Sequence, residues 1–155
     1  MLCLSRGVTS DAFADAPWLL GGVKTLSYAV NVAALRYARS QGADDAIITS
    51  TDGYLLEGPT SGLVIAADDG LWTTPTGPTG ILNSITVSTV FEAAGEDGVQ
   101  TSTRLMKHGE VLRAQGAWLL SSVRGVAPIL SIDGHPVPQD EDMTHRLRTW
   151  AGFEN

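Results

Sequence analysis

Two Asp-Gly turns, Asp52-Gly53 and Asp69-Gly70, constrain this chain more than any other feature of its sequence. Each lies between two short apolar, β-rich runs. "AIITS" (46–50) precedes "YLLEG" (54–58), and "GLVIAA" (62–67) precedes "LWTT" (71–74). Asp-Gly between such runs specifies the tight turn of a β-hairpin. Two hairpins within thirty residues demand antiparallel pairing, so a simple doubly wound parallel sheet is excluded.

The flanking segments add helices. "LCLS" (2–5) reads as a strand, and 6–23 as an irregular connection with Trp18 as its apolar anchor. From 25 to 41, Tyr28, Val32, Leu35 and Ala38 recur at helical spacing, with Gly42 placed to end the helix. A Pro/Gly loop follows at 75–80, then a helix over 87–96, a strand over 99–105 and a short helix over 108–115. "AWLLSS" (117–122) reads as a buried strand, 127–134 as a strand and turn, and 139–151 as a closing helix. The fold class is therefore mixed α/β. At 155 residues, the chain fits a single domain over 1–155.

Composition narrows the function. The net charge of −7 argues against a nucleic-acid binder, since phosphate backbones are gripped by Lys and Arg. No apolar run approaches the roughly 20 residues of a membrane helix. No secretion signal is visible, so the expected location is cytoplasmic. One cysteine, Cys3, permits neither an internal disulfide nor a thiolate metal cluster. His108, His135 and His145 have no paired spacing, and neither HExxH, GxSxG nor GxxxxGK[ST] occurs, so no metal site is expected.

Lysine is scarce: Lys24 and Lys107 are the only two. Lys107 sits in the polar stretch "RLMKHGE" and reads as a solvated residue. Lys24 follows Gly21 and Gly22 among small and apolar neighbours. It is either a surface lysine or a partly buried amine whose lost hydration makes it a nucleophile for carbonyls. Two glycines would let another group come close to the backbone there. Glu57 ends an apolar strand, and is either exposed or a buried carboxylate that must meet a cation. The loops "GILNSITVST" (80–89) and "LLSSVRG" (119–125) place hydroxyls beside backbone amides, an arrangement suited to anions where a helix begins.

The ordered series "GVKTLSYAVN", "DGYLLEGPTSG", "LWTTP…GILNSIT" and "WLLSSVRGVAPI…IDG" resembles the large C-terminal domain of class IV aminotransferases, the fold-type-IV pyridoxal-phosphate enzymes. These include aminodeoxychorismate lyases and branched-chain and D-amino-acid aminotransferases. The resemblance implies a mixed, barrel-like sheet with peripheral helices, a pyridoxal 5'-phosphate cofactor and a small amino-acid or aminodeoxychorismate-type substrate. It implies that Lys24 holds the cofactor as a Schiff base and shuttles the α-proton, while Glu57 pairs with the pyridinium nitrogen. Ile85, Thr86 and Ser122 match the phosphate grip. Ser121 and Val123 match the loop facing the substrate carboxylate. Tyr28 matches the tyrosine near the cofactor's phenolic oxygen, or is a core position on its helix.

The chain also departs from the family. The family's smaller N-terminal domain, with its phosphate-binding arginine, has no counterpart in these 155 residues. The apolar face it would cover is expected to favour self-association, as a homodimer. Gly62 stands where asparagine is usual, and "LNSIT" where L-P-G-I-T is common, so Asn83 and Ser84 replace proline and glycine. The alternative expectation is a remnant that keeps the fold but binds the cofactor weakly or not at all.

Overall fold

The computed structural model describes residues 1–153. Its strands are β1 (Leu2–Ser5), β2 (Ala46–Thr49), β3 (Tyr54–Glu57), β4 (Gly62–Ala67), β5 (Gly70–Thr73), β6 (Thr101–Thr103), β7 (Met106–Lys107), β8 (Gly116–Ser121), β9 (Gly125–Pro128), β10 (Ser131–Ile132) and β11 (His135–Pro136). Its helices are α1 (Ala29–Ser40), α2 (Ile85–Glu96), the single turn α3 (His108–Val111) and α4 (Glu141–Trp150). Both Asp-Gly hairpins form, as β2–β3 and β4–β5.

The strands make two open sheets of order β1-β2-β3-β7 and β6-β5-β4-β8-β9, with β10–β11 a separate ribbon. The pairing is mixed: β1–β2 and β5–β6 are parallel and the other pairs antiparallel. Two consecutive hairpins need two sheets here because β4 and β8 are buried on both faces. Leu63, Ile65 and Leu119 point into one cluster with Ile47, Leu55 and Met106 of the four-stranded sheet. The alternate residues Val64, Trp118 and Leu120 point into a second cluster with Val90 of α2 and Leu147 and Trp150 of α4. Side chains alternate along a strand, so the unbroken apolar runs "GLVIAA" and "AWLL" feed both layers. Trp118 is 1% exposed, and its indole N–H donates to Thr144 Oγ1 at 2.8 Å, tying α4 to the sheet.

Several local expectations are corrected. Helix α1 begins at Ala29, not Thr25, with Tyr28 as its N-cap, so Lys24 lies in the connection ahead of it. Trp18 is no anchor: it sits in a 3-10 turn, Pro17–Leu19, and is 74% exposed. The part of that connection that packs is Phe13, whose ring lies against Gly21 and Gly80. Helix α2 starts at Ile85 rather than Val87, because the Ser84 side chain caps it by accepting from Val87 N–H at 3.3 Å. No helix among the described residues is long and apolar enough to cross a membrane.

Candidate functional site

One end of the layered core carries the site. Glu57 closes β3, Gly62 opens β4, and Gly62 pairs with Leu120, so Ser121 at the end of β8 comes to the same edge. The N-terminus of α2 lies over this edge: a Cβ built on Gly62 would meet Val87 Cγ2 at 2.7 Å and Ser84 Cβ at 3.3 Å. The connection before α1 closes the remaining side. Together they enclose a cavity of about 980 Å³ lined by Lys24, Tyr28, Glu57, Ser84, Thr86 and Ser122 among others. Ile85 and Ser121 also line it, whereas the Val123 side chain is 97% exposed and lies outside the lining.

The electrostatics differ across this wall. Glu57 is largely buried, and loss of water pushes its carboxyl up from 4.5 to about 7. Two opposing influences hold it there rather than higher: the Leu82 N–H donates to Glu57 Oε2 at 3.2 Å, and the Arg6 charge lies nearby. Arg6 follows β1, donates to the Thr79 carbonyl, and its guanidinium carbon lies 4.8 Å from the Phe13 ring centre. Its Nε is buried with no partner among the described residues. Lys24 is exposed rather than partly buried, because α1 starts late and leaves this connection at the cavity mouth. Its Nζ donates to Tyr28 OH at 3.0 Å. Tyr28 is therefore not a core position: it caps α1, half-buried, with its hydroxyl on the amine. Lys107 is exposed and its Nζ lies 5.2 Å from the Tyr54 ring centre, apart from the cavity.

The glycines before Lys24 serve the fold. A Cβ at Gly21 would approach Phe13 Cγ to 2.8 Å and Gly80 Cα to 2.9 Å, and Gly22 holds φ +76°. The close approach seen is that of the chain's own Phe13 and 80–81 loop, and both glycines also line the cavity.

The amides of Ile85 and Thr86, which also line the cavity, occupy the first turn of α2, where the helix offers them no carbonyl. Thr86 and Ser122 add hydroxyls to the same lining, and unpaired first-turn amides with hydroxyls are groups suited to an anion. The lining therefore combines an amine, a largely buried carboxyl and unpaired helix-N-terminal amides with hydroxyls. Sequence reasoning missed Arg6 as the charge beside Glu57, and Asn31, which lines the cavity and donates to the Pro59 carbonyl. For Arg6 the one available signal was a cation directly after a strand, which is too common to single it out.

The comparisons agree with this architecture. The amino-transferase class IV family model matches residues 4–132. A bifunctional aminodeoxychorismate lyase / D-amino acid transaminase from Mycobacterium tuberculosis is 40% identical over 144 residues, 89% of this chain and 50% of that protein. A solved structure of a hypothetical aminotransferase from M. tuberculosis in its PLP-bound form superposes with a TM-score of 0.90 at 40% identity, covering 97% of this chain and 54% of that one. A fold IV-transaminase from Curtobacterium pusillum gives 0.88 at 43% identity, covering 97% and 50%. The chain spans about half the length of the relatives it matches.

Proposed function

Since this chain belongs to the amino-transferase class IV family, we propose that it forms the cofactor-binding half of a pyridoxal 5'-phosphate enzyme acting on small amino compounds. The reaction is either elimination from aminodeoxychorismate, giving 4-aminobenzoate and pyruvate, or transfer of an amino group from an amino acid to a keto acid. Both activities appear in the name of the M. tuberculosis relative, which supports keeping both. The observation that carries the reading is the meeting of Lys24, Glu57 and the α2 N-terminus in one cavity.

When bound, the cofactor ring supplies an electron sink for the bond that breaks at the substrate α-carbon. Lys24 Nζ is the amine that fixes the aldehyde end and then carries a proton to and from that carbon. The Tyr28 hydroxyl, 3.0 Å from Nζ, orients it. Glu57 would pair with the ring nitrogen: a carboxyl that burial makes reluctant to ionise would gain a counter-charge from a protonated nitrogen, so each would favour the charged form of the other. The Ile85 and Thr86 amides and the Thr86 and Ser122 hydroxyls hold the phosphate. Ser121, which lines the cavity, is the residue of the β8–β9 turn placed to meet the substrate carboxylate.

The test is spectroscopic. Pyridoxal phosphate added to the protein should give a visible band, and borohydride should fix its mass on the peptide containing Lys24. Lys24→Ala should lose both and Lys107→Ala keep both; a band that persists in Lys24→Ala overturns the assignment. Assays for 4-aminobenzoate and for glutamate, run with a polypeptide supplying the other half of the relatives' length, distinguish lyase from transaminase. A second reading, a fold that keeps its contacts without holding the cofactor, is favoured by the exposed Lys24 and by the bulk of Ser84 at the α2 N-terminus. No band at millimolar cofactor would select it.

A further inference from the structure

The hydroxyl turn of the cavity is fastened to the opposite sheet by a buried charge. Among the described residues, Asp45 is the one charged residue in the fully buried set, its side chain 1% exposed. It precedes β2 in the four-stranded sheet, accepts from Ala46 N–H through Oδ1 at 2.7 Å, and its carbonyl accepts from Leu2 N–H at 3.0 Å. Its other oxygen, Oδ2, pairs with the Arg124 guanidinium. Arg124 sits in the turn joining β8 to β9, where Ser121 pairs with Gly125, and its backbone N–H donates to Ser121 Oγ at 3.1 Å. Arg124 is thus held by its side chain to one sheet and by its main chain to a hydroxyl of the cavity in the other. A buried carboxylate requires a cation, so Asp45 holds the Arg124 guanidinium although the Arg124 side chain is 37% exposed.

We propose that the Asp45–Arg124 pair is a positioning device for the cavity's anion-suited hydroxyls. Resting on the function proposed above, it fixes the 121–124 turn so that Ser122 faces the cofactor phosphate. Ser121, having accepted from Arg124, keeps its hydroxyl proton free to donate into the cavity. Neither charge touches the ligand; both act through the turn.

The test compares pyridoxal 5'-phosphate with pyridoxal, the same ring without the phosphate, by absorbance titration of the full chain. The variants are Arg124→Lys, Arg124→Gln and the double variant Asp45→Asn/Arg124→Gln, which leaves no unpaired buried charge and guards against simple unfolding. Losing a hydrogen bond to a charged group predicts a dissociation constant for pyridoxal phosphate about tenfold higher in Arg124→Gln and in the double variant. Pyridoxal should change by less than about twofold. Arg124→Lys, which keeps the charge, should recover part of the loss. Denaturation midpoints recorded alongside should return towards wild type in the double variant while the ligand preference stays lost. Parallel changes for both ligands, or none, in the presence of normal wild-type binding overturn the positioning role alone. A wild type that binds neither ligand overturns the proposed function together with it.

Discussion

Replacing Glu57 by glutamine should remove the pH dependence that this buried carboxyl imposes on folding. Its carboxyl rises from 4.5 to about 7 in the folded chain, mainly because burial disfavours the charged form. The difference, 7 − 4.5 = 2.5, is a proton-affinity ratio of about 300, or about 3 kcal/mol. Below pH 4.5 the group is protonated in both states and its contribution is fully present. Between pH 4.5 and 7 the unfolded chain has released the proton and the folded chain has not, so stability falls as pH rises. Above 7 both are ionised and the loss is complete. The glutamine amide keeps an oxygen for the Leu82 N–H but does not titrate. The stability of Glu57→Gln relative to wild type should therefore rise by about 3 kcal/mol from about pH 4 to about pH 8. Urea unfolding across this span of pH measures it. A flat difference would refute the burial argument. Saturating pyridoxal phosphate should reduce the slope, because a cationic ring nitrogen gives the carboxylate its partner.

Gly62→Ala should cost about 1–3 kcal/mol, since its Cβ would lie 2.7 Å from Val87 Cγ2; thermal unfolding checks it, and because Val87 is itself buried, the double variant with Val87→Ala should lose less than the sum of the two single changes. Cys3 should resist iodoacetamide at about pH 8 in the folded protein and react once it is unfolded in urea. Burial, with Asp133 beside it, pushes its thiol up to about 12, and rapid alkylation of the folded chain would contradict that.

The fold was legible where local signals agreed. Asp-Gly turns between β-rich runs specify both hairpins, and the unbroken apolar run of β8 marks a buried strand. Helical spacing identifies α1 but places its start too early, because Thr25–Tyr28 continue the pattern while the chain there is committed to the connection before the helix. The two-residue strand β7 carries too little periodicity to read, and it exists because Tyr54 and Leu55 pair with it. Of the candidate site, Lys24, Tyr28, Glu57, Ile85, Thr86, Ser121 and Ser122 could be named from order and resemblance and all line one cavity, whereas Val123 does not.

Which segments pair with their neighbours along the chain, and which residue types could bear the chemistry, were written into the sequence, because turn geometry and side-chain alternation are local. Three-dimensional packing settled how exposed Lys24 is, that Gly21 makes room for Phe13, and that Asp45 and Arg124, 79 residues apart, form an ion pair. Burial, and the cost of a charge within it, depends on what packs from elsewhere in the chain, and no window of neighbouring residues contains that information.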